Sequence, residues 1–335
     1  MAVVKVTMAQ VAREAGVSLS LVSLAFRDAY GVSEKTKEHI LATAKRMNYQ
    51  PNTVAARLAR KADDTLGVFL LDLRNEVFVD MFDGMRASAT EAGRELVLSV
   101  GSTGGELDRG ALDSLIRARV DVAVAAGLLL PDEVLAKYRG RLRLVSVARV
   151  VPGFDSVDCD NRLGAALATQ HLLDLGHRRI LHLANRPSDG YLERRIGFEQ
   201  TVRAAGLTPW VIDVDYSRDA AAAAIGPILD SALDSAQRPT AVLAHNDQMA
   251  LGVLDALHER GLRAPHDLSV AGYDNTTLSR TPGIALTTVD LHAVDLGRQA
   301  AELAIWRSAN PDEPVVVKTS TPTLVVRGST GPPAD

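Results

Sequence analysis

From residue 66 onward, short apolar runs alternate with longer stretches in which apolar positions recur at helical spacing. The runs LGVFLL (66–71), ELVLSV (95–100), VAVAAG (122–127), RLVSVA (143–148), RILHLA (179–184), TAVLAH (240–245) and LSVAG (268–272) have the length and apolar content of buried strands. Segments 79–92, 162–175 and 247–260 between them read as helices. Strand and helix in alternation predict doubly wound α/β layers around parallel sheets.

The first 61 residues follow a different pattern, with helical spacing only. Thr7 to Gln10 has the form of a capping box that starts a helix at Met8, with Val6 and Val11 at the positions of a hydrophobic staple and Val11, Ala12 and Ala15 facing inward. Gly16 can take the left-handed conformation that ends it. Ser18 then caps a second helix, on which Val17 and Val22 repeat the staple, and the pair forms a helix-turn-helix. A third helix runs from the cap Ser33, with Ile40, Leu41, Ala44 and Met47 closing a three-helix core. Pro51 ends that helix, and Asn52 caps a further helix of barely two turns with Val54, Ala55 and Leu58 on one narrow stripe. Such a helix is too short to hold alone in water and needs a partner. A second copy in a DNA minor groove would supply one, with Leu58 as a wedge between base steps and Arg57, Arg60 and Lys61 near phosphates. The alternative is an ordinary linker whose Leu58 packs on the body.

Charge divides the chain at the same place. The formal net charge of -4 is the sum of +6 in residues 1–61 and -10 in the remainder. A small basic head on an acidic body fits a polyanion partner for the head alone. Together with the two caps and the turn glycine, it makes the head a DNA-binding module. The longest uncharged apolar run, 122–130, is far short of a membrane span, the start MAVVKVTMAQ has no apolar signal core, and the expected location is the cytoplasm. The one cysteine, Cys159, reads as a small buried residue.

No G-x-G-x-x-G follows the first strand, and Walker A, G-x-S-x-G and H-E-x-x-H sequences are missing. His171 and His177 stand six apart, a poor spacing for two ligands on one helix face, and read as helix-surface and helix-end groups. The expectation is a binding protein and not an enzyme, with no cofactor and no metal. In open α/β sheets ligands gather beyond the carboxyl ends of strands, where this chain has Asn75, Phe78, Asp160, Asn161, Arg194, Asn246, Asp247 and Asp274. Carboxylates, amides, a guanidinium fork and an aromatic ring suit a polyhydroxylated ligand. Each also has a plainer use: Asn161 as a helix cap, Asp274 as a turn residue, Phe78 as core and Arg194 as a surface ion pair.

VTMAQVAREAGVS, VSEKTKEHILATAKRMNYQPN and VAARLARK resemble the head and hinge of the lactose-repressor (LacI/GalR) family of bacterial transcription regulators. LGVFLLDLRNEVF, DNRLGAALATQHLLDLGHRRI, RRIGF, NDQMALGVLDAL, DLSVAGYDN and LTTVDL extend the resemblance to about residue 327. It implies a helix-turn-helix head (1–51), a hinge helix and linker (52–64) and a periplasmic-binding-protein-like body of two α/β lobes (65–327), while the polar, Pro/Gly-rich tail (328–335) is expected to be disordered. It also implies a homodimer on a near-palindromic double-stranded operator, most often a repressor released by a sugar or sugar derivative. Alternatives are a regulator with a purine-like corepressor and a transport-type solute-binding protein carrying an added head. The positions it assigns to DNA are Thr7, Ser18, Leu19, Ser20, Leu21, Ser23, Leu24 and Arg27 in the head, and Asn52, Thr53, Ala55, Arg57 and Leu58 in the hinge. Those it assigns to the effector are Phe78, Asp160, Arg194, Asn246 and Asp274.

The chain departs from the family pattern in both places. The usual polar pair and Thr-Val-Ser-Arg of the second helix appear as Leu19, Ser20, Leu21, Val22, Ser23 and Leu24, with Arg27 where Asn is usual. Leu19, Leu21 or Leu24 in the groove would touch thymine methyls, aided by Ser20, Ser23 and Arg27, with specificity leaning more on the hinge and on DNA shape. The usual Asn-Pro-Phe-Phe appears as Asn75, Glu76, Val77 and Phe78, and Leu291 and Ala293 replace a polar and an aromatic residue.

Overall fold

A computed structural model describes residues 6–26, 30–49, 65–185, 192–230 and 238–334. The chain divides into two compact units, Met1–Ala62 and Asp63–Asp335.

The first unit holds α1 (Met8–Ala15), α2 (Leu19–Phe26) and α3 (Glu34–Arg46). Thr7 Oγ1 accepts the Gln10 N–H, and the Gln10 side chain accepts the Thr7 N–H at 2.7 Å, so both halves of the capping box form. Gly16 ends α1 at φ 64°, with its N–H on the carbonyls of Ala12 and Arg13. Ser18 Oγ accepts the Leu21 N–H at 3.2 Å to start α2, and Ser33 Oγ accepts the Thr36 N–H at 3.2 Å to start α3. Val11, Ala12, Ala15, Val22, Ala25, Ile40 and Ala44 form the core, and Phe26 meets Tyr49 edge-on at 5.6 Å between ring centroids. Leu41, expected in that core, is exposed, and the wholly buried Thr43 takes the inward place. At 3.6 residues per turn, 40, 43, 44 and 47 share a face, while 41 lies a full step around from 40. Arg27 and the expected hinge, with Asn52, Thr53, Ala55, Arg57 and Leu58, lie outside the described residues.

The second unit runs β1 (Thr65–Leu70), α4 (Glu76–Glu91), β2 (Glu95–Val100), α5 (Asp108–Arg117), β3 (Val122–Ala126), α6 (Asp132–Leu135), β4 (Arg143–Val147) and β5 (Asp155–Cys159). It continues through α7 (Asn161–Asp174), β6 (Ile180–Asn185), α8 (Leu192–Ala204), β7 (Trp210–Val214), α9 (Arg218–Asp230), β8 (Ala241–Ala244), α10 (Asp247–Glu259) and β9 (Ser269–Ala271). Last come β10 (Thr288–Asp290), α11 (Ala293–Ala309), β11 (Val317–Ser320) and β12 (Thr323–Val325). The first lobe is a parallel sheet ordered β11-β5-β4-β3-β1-β2, and the second is a parallel sheet ordered β7-β6-β8-β9, with β10 and β12 as an antiparallel pair. β1, β3 and β8 are covered on both faces, which explains their unbroken apolar runs. β5, β7, β10, β11 and β12 do not stand out in the hydrophobic pattern, because they are short, mixed in polarity or partly exposed.

Three crossings join the lobes. The chain leaves β5 in the first sheet for α7, which packs with α8, β10 and β12 in the second lobe. It returns from β10 to α11, which lies on α4, β4, β3 and β5, and crosses again between β11 and β12. Arg307 anchors the return, holding the buried Asp155 carboxylate through Nε at 2.7 Å and Nη2 at 2.8 Å.

The tail from Gly328, expected to be disordered, is instead docked on the second lobe. Ser329 is buried and donates from Oγ to Val270 O at 2.6 Å, while its N–H reaches Ala285 O at 3.1 Å. His171 Nε2 lies 2.9 Å from Thr330 Oγ1, and His177 Nε2 lies 2.9 Å from Gly331 O. His177 is thus a helix-end group, its N–H on Leu172 O at 3.1 Å, and is also buried. Composition hid the docking, because most of the tail's partners are backbone groups and hydroxyls. Among the described residues, no helix is long and apolar enough to cross a membrane.

Candidate functional site

Each sheet reverses its strand order beside its first strand, between β1 and β3 in one lobe and between β6 and β8 in the other. Such switch points open a crevice at the carboxyl ends of the strands. Asn75 follows β1, and His245, Asn246 and Asp247 follow β8.

Arg194, in the first turn of α8, is the centre of the polar cluster. It donates from Nε to Asn161 Oδ1 at 2.9 Å, from Nη1 to His245 O at 2.8 Å and from Nη2 to Asp274 Oδ1 at 3.3 Å. Its guanidinium lies 3.7 Å from the centroid of the Tyr273 ring, a cation–π contact. The side chain is 8% exposed, so it is no surface ion pair. Gly197 makes this placement possible: a Cβ there would stand 2.2 Å from Arg162 O, so α8 lies directly against α7.

The neighbours of Arg194 are fixed in turn. Asn161 Nδ2 donates to Cys159 O at 3.0 Å, which aims its Oδ1 at the guanidinium. The cap of α7 is Asp160, exposed, accepting the Leu163 N–H at 2.9 Å. Asp274 is 4% exposed and holds φ 111°, a conformation rare outside glycine that costs backbone energy and marks many binding sites. Burial pushes its carboxyl up to about 7 against the opposing pull of Arg194 and of a hydrogen bond from Asn75. Burial also pushes Asp158 up to about 6 and the Cys159 thiol up to about 11, and drives His245 well below its usual value.

Asn246 caps α10, its Oδ1 accepting the Met249 N–H at 2.9 Å, while its buried Nδ2 has no hydrogen-bond partner among the described residues. Asp247 is spent within its own lobe, accepting from Thr276 N at 2.8 Å and from Thr288 Oγ1 at 2.5 Å. Phe78 is 2% exposed and packs in the first lobe's core beside Leu71 and Gly127. Leu291 and Ala293 are buried where the chain returns to α11.

Besides the bond from Asn75 to Asp274, two more hydrogen bonds among the described residues span the lobes. Asn75 Nδ2 donates to Tyr216 Oη at 2.5 Å, and the Leu278 N–H donates to Glu76 Oε2 at 3.1 Å. Tyr216 also meets the His245 ring edge-on at 6.2 Å between centroids. The structure thus brings Asn75, Asn161, Arg194, His245, Asn246 and Asp274 together and leaves Phe78 in the core. Tyr216, His245 and Tyr273 escaped the sequence reading. The latter two adjoin Asn246 and Asp274, whereas Tyr216 follows a strand the pattern did not reveal.

In the head, Thr7 and Ser18 are the caps of α1 and α2. Leu19 is 52% exposed and Ser20 is exposed, Ser23 and Leu24 are half-buried, and Leu21 packs against the head's core.

Residues 7–52 match the model of bacterial regulatory proteins of the lacI family, and residues 169–330 match a periplasmic binding protein-like domain. The HTH-type transcriptional regulator GalR of Escherichia coli (strain K12) is 30% identical over 332 residues, covering 98% of this chain and 96% of the relative. The chain belongs to the lacI family. A crystal structure of the lac repressor dimer bound to operator and the anti-inducer ONPF has a TM-score of 0.83 at 28% identity, covering 98% of this chain and 99% of that one. The complex of the transcriptional regulator CelR with cellobiose has a TM-score of 0.69 at 27% identity, covering 97% of this chain and all of that one. This lacI-family chain therefore shares head, body and their order with regulators along nearly its whole length.

Proposed function

We propose that the chain is a sequence-specific DNA-binding transcriptional repressor, working as a homodimer in the cytoplasm, whose operator affinity is set by a small polyhydroxylated metabolite bound between the lobes. It binds that metabolite without turning it over. The observation that carries the effector site is the buried Arg194 guanidinium, laid on Tyr273 and held by Asn161 and Asp274, with Asn75 of the first lobe bonded to the same Asp274. Arg194 and Asp274 form a donor and acceptor pair suited to adjacent hydroxyls, and Asn246 Nδ2 adds a buried donor in need of an acceptor. Phe78 and Asp160 are the outlying members of the proposed set.

The relatives support the partners. The lac repressor has been seen as a dimer on operator, and CelR has been seen with cellobiose. Asn75 and Glu76 reach the second lobe directly, so a ligand that favours their contacts favours closure. It shifts the lobes only as far as it binds closed and open forms unequally, and operator affinity follows by linkage.

A thermal-shift screen of the full chain against cellobiose, ribose, galactose, polyols and purines tests this. A sugar or polyol that raises the melting temperature and also changes operator affinity in a fluorescence-anisotropy titration is the expected result. Stabilisation by purines alone would replace the carbohydrate with a purine-like corepressor. Turnover of any stabilising ligand would overturn the regulator reading of the body.

A further inference from the structure

The second helix of a helix-turn-helix lies in the major groove with its first turns against base edges. In this chain that helix, α2, reads LSLVSLAF and carries no Arg, Lys, Asn, Gln, Asp or Glu. Val22 and Ala25 are buried, and Leu21 and Phe26 pack on the head's core, which leaves Leu19, Ser20, Ser23 and Leu24 on the outward side. Leu19 is the most forward of these: it is N-terminal on the helix and 52% exposed, with an apolar side chain that no core contact explains. The Ser20 hydroxyl is engaged with Ser18 Oγ at 2.9 Å, beside the bond by which Ser18 caps the helix.

An isobutyl group cannot sense a donor or an acceptor. The one apolar feature in the major groove is the methyl on C5 of thymine. We propose that α2, through Leu19 with Leu24 behind it, recognises the C5-methyl of pyrimidines, so that thymine and 5-methylcytosine are equivalent to it and uracil and cytosine are rejected. Thymine presents O4 as an acceptor and cytosine presents N4 as a donor, but a leucine distinguishes neither. Cytosine methylation at the contacted positions therefore turns a poor site into a good one. Specificity arises from buried methyl groups, while the head's net charge of +6 supplies the attraction to phosphates common to all sequences. The inference rests on the DNA-binding function proposed above.

The test begins by selecting duplexes from a random library with the full chain. The thymines of the best half-site are then replaced one at a time by uracil, cytosine or 5-methylcytosine, and affinity is measured by fluorescence anisotropy at fixed salt. At one or more positions, uracil and cytosine are expected to weaken binding about threefold to fourfold for each methyl removed, and 5-methylcytosine to bind like thymine. Leu19→Ala is expected to erase the thymine–uracil difference while keeping binding to phosphates, and its exposure makes a folding defect easy to exclude by a thermal melt. Arg27→Ala should keep that difference. If uracil binds like thymine throughout, or if 5-methylcytosine is as poor as cytosine, the methyl-reading proposal is overturned and DNA binding stands. Failure to enrich any duplex overturns both.

Discussion

The two lobes of the body share an architecture but contribute unequally to the cleft. The second lobe supplies Arg194, Tyr216, His245, Asn246, Tyr273 and Asp274, most of them buried and all but Asn246 cross-linked to one another within the lobe. The first supplies Asn75 and Glu76, whose side chains reach across to Tyr216 and to the Leu278 N–H. One lobe is thus a preorganised grip, and the other is a cover attached by few contacts. That division suits a sensor: affinity resides where side chains are already fixed, and the response resides where a small change in contact alters the equilibrium between states.

Removing the centre of the grip should have the largest effect. Arg194→Ala leaves Asp274 to protonate and the Asn161 Oδ1 and His245 carbonyl without their donor, which costs on the order of a few kcal/mol of body stability. Effector binding should fall by more than about a hundredfold in isothermal titration, while operator binding persists at temperatures where the variant is folded. Arg194→Lys keeps the charge but cannot hold three acceptors at once, and should recover stability more than effector affinity. Unchanged effector affinity in either variant would move the grip elsewhere.

The grip also predicts a pH dependence of stability. Asp274 is pushed up to about 7, and Asp158 and Asp247 up to about 6, chiefly by burial. Folded carboxyls with raised pKa values bind protons that the unfolded chain has already released, so they favour the fold most below pH 4. That contribution is lost as pH rises toward 7. Urea titrations should therefore show body stability declining from pH 5 to 7.5, by an amount on the order of a few kcal/mol if other groups do not offset it. Asp274→Asn should flatten the upper part of that slope. A slope identical to the parent chain's would remove Asp274 as its source.

The grip and the cover differed in how far they could be read from sequence. Asn246 and Asp274 directly follow apolar strands, in HNDQ and GYDN, whereas Arg194 lies well past its strand, and the resemblance of RRIGF and GYDN to the family motifs is what singled out Arg194 and Asp274. The roles of Asp160 and Asn161 depend on which of two adjacent polar residues caps α7, a one-residue question that only geometry resolves: Asp160 caps, and Asn161 orients Arg194. Tyr216 was hidden because β7 is only half-covered and its run WVIDV lacks a continuous apolar signal. In the head, local rules sufficed for both caps and the turn, since Thr7, Gly16 and Ser18 act on neighbours within five residues. The exposure of Leu41 follows from helical phase, which a list of apolar residues does not respect. The docked tail depends on long-range pairing with residues 269–287, for which composition carries no signal.

Weakening the cover should have smaller effects than weakening the grip. Asn75→Ala removes the amide that bonds Tyr216 and the Oδ1 that caps α4 through the Val77 N–H at 3.2 Å. Each loss is worth about 1 kcal/mol, so effector affinity should fall about tenfold and the effector's influence on operator binding should fall with it. Tyr216→Phe removes only the bond to Asn75 and keeps both the cap and the Asn75 bond to Asp274, which separates the contributions. Equal effector affinity in Tyr216→Phe and the parent chain would show that the bond between Asn75 and Tyr216 does not hold the lobes together.

Glu76 provides the smallest and sharpest comparison, because one side chain has two separable uses. Its carboxylate accepts the Leu278 N–H across the cleft, and its charge stands in the first turn of α4, where it interacts favourably with the helix dipole. Glu76→Gln keeps an acceptor and loses the charge, whereas Glu76→Ala loses both. An exposed hydrogen bond contributes about 0.5 kcal/mol, so Glu76→Ala should weaken effector binding about twofold relative to Glu76→Gln, with the two variants melting within a degree or two of each other. If instead the two variants bind the effector equally and both more weakly than the parent, the contact across the cleft is electrostatic, and the cover responds to charge and not to a directed bond.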